Sequence, residues 1–506
     1  GVWEEAARLV GRMEPGEKQR LVQGVGWRAF ALRPGFYVGS ILGVPRLGLP
    51  GINMQDAAAG FRTTSDQIIG QVTSWPCALA LAATWDPSLA RRWGQALGRE
   101  FKAKGANVIL GPSVNVHRVA RNGRNAEYLS GEEGGLGAPL AAAYVEGVQG
   151  EGVAAVVKHF ALNSQETNRN TQSSDASDRT LWEVYYPPFE AAVQAGVAAV
   201  MCGYNQVNGT PACGNPRLLR RHLKLQMGFR GWVMSDWWAT HSVRAAARGV
   251  DQNMPGSDHY FDACNLERLR RGRRPAALDP SPAEAEADYF DLDEMATRVA
   301  GGMLSAGAWN TSKCTAGCDC HAALYEANAS RPEHTALART IATDSIALLK
   351  NDDGVLPLRR GQRVALIGKA CTQAKRIDHG DWTDGNYYVV GGSGRVLAPH
   401  FVTIKEGLQA RGGVTLLVEE EEKVEAAVEA MRAADVAIAC GGATATESRD
   451  RPHLRLDQQS FLVALAEARA ADASLPPLVV LSLAPGAVLT PWRDGASAVA
   501  NMFLGG

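Results

Sequence analysis

Short apolar runs alternate with amphipathic stretches over the first 300 residues. Residues 107–110, 153–160, 197–204 and 231–236 read as buried strands. Between them the apolar spacing predicts helices over 136–149, 181–194 and 218–227, the second interrupted by Pro187 and Pro188. Repeated β-α spacing predicts a parallel sheet with crossover helices, and its length suits a (β/α)8-like TIM barrel over residues 1–306. Residues 307–332, rich in Cys, Asn, Ser and Thr, read as a linker, and a second α/β unit fills 333–506. There, 334–350 reads as an amphipathic helix. Residues 364–368, 414–418, 435–441 and 478–483 read as strands, with helices over 423–433 and 459–468. The pattern predicts an open, mostly parallel sheet. The chain ends at Gly506, just after another strand-like run, so the second domain is expected to be truncated short of its last elements.

Polar residues gather just past the barrel strands. Lys158 and His159 end one, Tyr204 and Asn205 another, and Asp236 a third, where the sites of such barrels are built. Asp236 lies in GFRGWVMSDWWAT (228–240), at the end of an apolar run. A carboxylate buried there without a partner costs several kcal/mol or shifts its pKa, so it is either paired or chemically employed.

Composition narrows the reading. With 506 residues, 46% of them hydrophobic, the chain can bury cores for two to four domains. A net charge of −1 favours neither nucleic acid nor an anionic membrane as partner, and no apolar stretch is long enough to span a bilayer. The basic run 268–274 and the Ala/Pro/Glu-rich stretch after it read as a solvated insertion. Of the nine cysteines, Cys202 and Cys213 flank a turn and could bridge. Cys314, Cys318 and Cys320, followed by His321, do not match paired zinc spacings and read as a local disulfide framework. Asn208, Asn310 and Asn328 open N-x-S/T sequons. With the cysteines they lean towards a secreted or secretory-pathway location, although no signal peptide is visible in a chain that starts at Gly1. VVGGSGRV (389–396) lacks the lysine of a phosphate loop, and no cofactor or metal is expected.

The most specific block is MCGYNQVNGTPACGNPRLLRRHLKLQMGFRGWVMSDWWAT (201–240). With RMEPGEKQRLVQG (12–24), LGPSVNVHRVARNGRNAEYLSGEE (110–133), VVKHFALNSQETNRN (156–170), LARTIATDSIALLKNDDGVLPL (337–358), VVGGSGRV and ESRDRPHLRLDQQ (447–459), it resembles glycoside hydrolase family 3, the β-glucosidase and β-xylosidase group. The resemblance implies a (β/α)8-like barrel followed by an α/β sandwich domain, with the site between them. It implies Asp236 as nucleophile and Glu447 as acid/base. Asp56, Arg124, Lys158, His159 and Tyr204 match positions that hold the sugar, as does Arg62, and Trp237 matches an aromatic wall. The implied activity is an exo-acting retaining β-glycosidase acting on a β-glucoside or oligosaccharide. β-Glucosidase is the first reading; β-xylosidase and an inactive sugar-binding relative or fragment are the alternatives.

The chemistry sets requirements. A retaining glycosidase needs two carboxyls roughly 5–5.5 Å apart, one attacking and one protonating the leaving oxygen. Lys158 and Arg124 are expected to keep Asp236 ionised, while Glu447 needs surroundings that keep it protonated. Simpler roles stay open: Arg124 bracing the loop of Glu127, His159 as a core histidine, Tyr204 as a packed aromatic, and Asp450 with Arg451 as a structural pair. The family's Asp-Gly-Pro segment reads QDAAAGFR here, its Glu-Asp-Pro reads Gly131-Glu132-Glu133, and its Glu-Gly pair reads Glu447-Ser448. None of these departures removes a catalytic group.

Overall fold

The computed structural model describes residues 1–271, 286–310 and 314–506. The insertion expected after the basic run lies largely outside the described residues. Before it, the helix Ala263–Arg271 pairs Arg270 and Arg271 with Glu267.

Six hydrogen-bonded strands form the first sheet: β1 (Gly39–Ile41), β2 (Ile52–Asp56), β3 (Val108–Leu110), β4 (Ala154–Phe160), β5 (Ala199–Cys202) and β6 (Trp232–Ser235). They neighbour one another in chain order. Every residue in them is buried, as expected for strands covered on both faces. Isolated bridges Met234–Gln252, Gln23–Asn253 and Val25–Ser40 carry the pairing from β6 round to β1. Among the described residues this sheet departs from a strict (β/α)8 pattern twice: it has six strands, and β1 runs antiparallel to β2. The other pairs in the sheet are parallel, so β2 to β6 point their carboxyl ends to one side.

The covering helices follow from local sequence. Asp86 caps Pro87–Ala103 by accepting from the Ser88 N–H, and Pro87 occupies the first helical position. Leu89, Trp93, Leu97 and Phe101 form its buried stripe, each contributing about 1.5–3 kcal/mol by burial. Trp93 meets Tyr144 of the helix Gly134–Gly150 edge-on, with ring centroids 5.5 Å apart. The expected break at Pro187 and Pro188 is present: one helical segment covers Leu181–Tyr185, and the prolines open the next, Pro187–Gln194, because a first turn needs no N–H from them.

The expected linker is more than a connection. Its described part carries the Cys314–Cys320 disulfide, and Ala316, Cys320, Leu324 and Ala329 join the barrel core. Cys318 stays a free, exposed thiol. Cys202–Cys213 also bridge.

The helix expected over 334–350 ends early. Pro332–Asp344 is helical, but Ala347–Asn351 is a strand (β7). Antiparallel pairing with a strand some 150 residues later overrides the local helical period. The second sheet continues with β8 (Arg363–Ile367), β9 (Thr415–Glu419), β10 (Val436–Gly442), β11 (Leu478–Leu483) and β12 (Ala498–Met502). Its order is β7-β12-β11-β10-β8-β9, parallel except for β7. Alternate residues sort to the two faces. Ala365, Ile367, Ala437 and Ala439 pack with the helices Val424–Arg432 and Gln459–Ala471, while Val364, Leu366, Val436 and Ile438 form the opposite layer. The chain goes from β8 to β9 on one side and then to β10 on the other. Ligands of such sheets gather at this switch, beyond the carboxyl ends of the strands. The loop carrying Glu447 leaves β10 there, and Cys371–Cys440 ties the two sides of the switch together.

Candidate active site

The carboxyl ends of β2 to β6 face the loops of the second domain across a cavity of about 480 Å³. It is lined by all nine residues singled out in the sequence: Asp56, Arg62, Arg124, Lys158, His159, Tyr204, Asp236, Trp237 and Glu447. A larger, more open hollow of about 980 Å³ lies elsewhere in the second domain. Its Lys375–Asp384 and His400–Glu406 charges are already paired. Among the described residues, no group of three or more His, Cys, Asp or Glu side chains converges as a metal ion requires.

Asp236 is 6% exposed. Its Oδ1 accepts from the Trp237 N–H at 2.8 Å, while Oδ2 has no hydrogen bond among the described residues. His159 Nε2 stands 3.4 Å from that oxygen. Tyr128 Oη lies 3.0 Å from His159 Nδ1. Burial, reinforced by the Arg124 and Lys158 charges, holds the imidazole well below its ordinary pKa, so His159 is neutral. The carboxylate facing Nε2 favours the ring proton on that nitrogen, which leaves Nδ1 to accept from Tyr128.

Asp56 ends β2 and accepts from Arg62 Nη1 at 2.9 Å, with Lys158 Nζ 3.8 Å from its other oxygen. Trp237 is fixed by donating from Nε1 to the Val38 carbonyl at 2.9 Å. Arg124 serves two carboxylates at once. Nε and Nη2 hold both oxygens of Glu127, at 3.1 and 2.8 Å, and Nη1 reaches Glu447 Oε1 at 3.3 Å. The bracing role and the site role are therefore one role.

Glu447 carries the densest set of contacts. Oε1 also accepts from Arg169 Nη1 at 2.8 Å, and Oε2 accepts from the Ser393 N–H at 2.9 Å and Ser393 Oγ at 2.5 Å. Its loop is fastened to the barrel. Asp450 accepts from the backbone N–H groups of Gly123, Glu166 and Thr167, while Arg451 ties the loop to its own domain by donating to the Ala487 carbonyl. Asp450 and Arg451 thus anchor the loop separately; they do not pair with each other as the sequence reading had them.

Each of the two carboxyls is shifted in the direction opposite to the expected one. Burial pushes the Asp236 carboxyl up, against the opposing charges of Arg124, Arg169 and Lys158. Burial pushes Glu447 up too, but Arg124, Arg169 and the Ser393 hydrogen bonds outweigh it and hold Glu447 well below the usual carboxylate range. To act as an acid, Glu447 must take up a proton against the pull of these two arginines.

The sequence reading assigned no role to several residues of this site. Arg169 stacks over the Tyr204 ring at 4.1 Å and donates to Glu166 Oε2 at 2.6 Å. Trp382, from the second domain, faces Arg62 at 5.4 Å. Trp27 and Phe30 pack on Trp238 at 5.2 and 4.9 Å, and Phe30 is 78% exposed at the cavity rim. Glu166 and Arg169 had a readable signal: opposite charges three residues apart, just past Lys158-His159. The aromatics had none, because nothing local distinguishes them from core residues.

Gly392 takes φ +90°, and an added Cβ would lie 2.4 Å from Glu447 Cβ. Gly392→Ala is expected to displace the Glu447 carboxyl and lower kcat/KM by about 100-fold while leaving the fold intact. Steady-state kinetics beside a circular dichroism spectrum check this; an unchanged kcat/KM would show that the close approach is not needed.

Two strand-end carboxyls in one cavity, a cationic set beside them and aromatic walls define a two-domain protein built on the plan of a glycosidase. Residues 44–254 match the Glycosyl hydrolase family 3 N terminal domain and residues 346–506 its C-terminal domain. The chain belongs to glycosyl hydrolase family 3. It is 40% identical over 373 residues to a beta-glucosidase of Rhizobium radiobacter, covering 72% of this chain and 41% of that one. With thermostable beta-glucosidase B of Acetivibrio thermocellus it shares 32% identity over 489 residues, covering 92% and 59%. Among solved structures, the beta-D-glucoside glucohydrolase of Trichoderma reesei superposes with a TM-score of 0.85 at 29% identity, covering all of this chain and 70% of that one. Beta-glucosidase 3B of Thermotoga neapolitana, in complex with glucose, superposes with a TM-score of 0.81 at 25% identity, covering 99% and 72%. The chain spans about half the length of the curated relatives it matches.

Proposed function

We propose that this protein is an exo-acting retaining β-glucosidase that releases terminal β-D-glucosyl residues by double displacement. The observation that carries the reading is the convergence of Asp236 and Glu447, from separate domains, on one cavity with a hydroxyl-holding set. The cavity's volume lies within the roughly 300–1,000 Å³ range of small-molecule sites. The β-glucosidases among its relatives support glucose as the sugar.

In this mechanism Asp236 Oδ2 attacks the anomeric carbon while Glu447 gives a proton to the departing oxygen. Water then attacks the glycosyl ester and passes a proton back to Glu447. Asp56 accepts from sugar hydroxyls, oriented by Arg62 and Lys158, and the neutral His159 donates from Nε2. Trp237 offers a flat apolar face to the C–H side of the ring.

Aryl β-glucoside and aryl β-xyloside hydrolysis, followed by NMR of the first-formed sugar, test this. The glucoside is expected to be preferred and β-glucose to form first. Initial α-glucose would rule out double displacement. A preference for the xyloside would turn the reading to β-xylosidase, and glucose binding without turnover would turn it to an inactive sugar-binding relative.

A further inference from the structure

Glu447 must hold a proton for the first half of that reaction, yet it is gripped by Arg124 and Arg169. Glu166 lies on the far side of Arg169. It is 4% exposed, and its Oε2 accepts from Arg169 Nη1 at 2.6 Å and from the Ser448 N–H at 2.7 Å. The same Nη1 donates to Glu447 Oε1 at 2.8 Å. One guanidinium nitrogen therefore serves two buried carboxyls, and Glu166 also touches the backbone next to Glu447.

We propose that Glu166 is a positioning residue that shares Arg169 with Glu447, so that one proton alternates between the two carboxyls. This rests on the retaining reading given above. With the proton on Glu166, Arg169 binds the Glu447 carboxylate. With the proton on Glu447, Arg169 and the Ser448 N–H hold the Glu166 carboxylate, and Glu447 is ready to act as acid. The proton leaves Glu447 with the departing oxygen as the bond from the anomeric carbon to that oxygen breaks and its bond to Asp236 forms. It is replaced from the attacking water as the ester bond breaks. No further reactant is needed.

The surroundings of Glu166 fit this role. Burial pushes its carboxyl up to about 7, with the Glu447 charge adding to the rise and Arg124 and Arg169 opposing it. Arg124 and Tyr128 act from the loop after β3, with Glu127 paired to Arg124. Arg169 acts from the segment of Glu166 itself, and Glu447 from the second domain, where Asp450 accepts from the Glu166 N–H at 2.9 Å.

Glu166→Gln keeps the shape and removes the exchangeable proton. Arg169 is then left to Glu447, which stays ionised. The expected kcat/KM falls by about 100-fold for an alkyl β-glucoside but by less than about tenfold for 2,4-dinitrophenyl β-glucoside, whose leaving group needs no proton. The alkaline limb of the alkyl-substrate pH profile moves to lower pH, and Glu166→Asp restores part of the loss. Equal losses on both substrates with an unmoved limb would overturn the proposal. A second readout needs no turnover. In protein labelled with 13C at the glutamate carboxyls, a resonance titrating at about 7 is expected in the wild type and should vanish in Glu166→Gln. Its persistence in the variant would equally overturn the proposal. If the wild type cleaves neither substrate, the proposed function fails, while this titration still decides whether Glu166 holds the proton.

Discussion

Asp236→Ala is expected to lower kcat for aryl β-glucosides by on the order of 10⁴-fold or more while the protein stays folded. On the proposed double-displacement reading the substitution removes the attacking atom, and no neighbour is placed to replace it. His159 is neutral and lies across from the carboxylate, Trp237 is tied to Val38, and Glu447 belongs to the opposite domain. The fold loses little. The side chain makes one hydrogen bond among the described residues, to the N–H of the next residue, and its burial opposes its charge. Unfolding midpoints should therefore match or exceed the wild type, as is common where stability was given up for function. Azide admitted to the vacated position should restore turnover of an activated glucoside and yield the α-glycosyl azide. Undiminished hydrolysis by Asp236→Ala would remove Asp236 from the mechanism.

Arg124→Met should damage stability and activity together. Arg124 is 1% exposed, and Glu127, also 1% exposed, binds it through both oxygens. Without the guanidinium Glu127 is a buried charge with its main partner gone, which costs about 3–5 kcal/mol. Glu447 loses one of two arginine contacts, and the cationic field over Asp236 weakens. The expected fall in kcat/KM is about 10³-fold. Adding Glu127→Gln separates the two effects. The double variant should recover much of the denaturant midpoint, because the stranded charge is gone, and almost none of the activity. Recovery of both would reduce Arg124 to a brace for its loop.

Much of the architecture was legible in the chain. Apolar runs such as Val108–Leu110 mark parallel strands because both faces are covered, and charged residues at the ends of β4 and β6 mark the side where a site forms. The local reading failed where distant pairing decided the structure. Residues 347–351 carry a helical period but pair with Ala498–Met502, and Cys371 meets Cys440 only because β8 and β10 become neighbours at the switch of the sheet.

The same division runs through the site. The sequence by itself determined the family and its two-domain plan, and it singled out the residues, Asp236 and Glu447 among them, that line one cavity, since short motifs record which groups stand at and just past strand ends. Their ionisation was decided only by the tertiary structure. Glu447 meets Arg124 across 323 residues of chain and Arg169 across 278. A carboxyl's pKa is set by burial and by charges within a few ångströms, and no motif encodes those distances. Folding therefore shifted the two carboxyls against the expected directions and brought Glu166 beside Glu447.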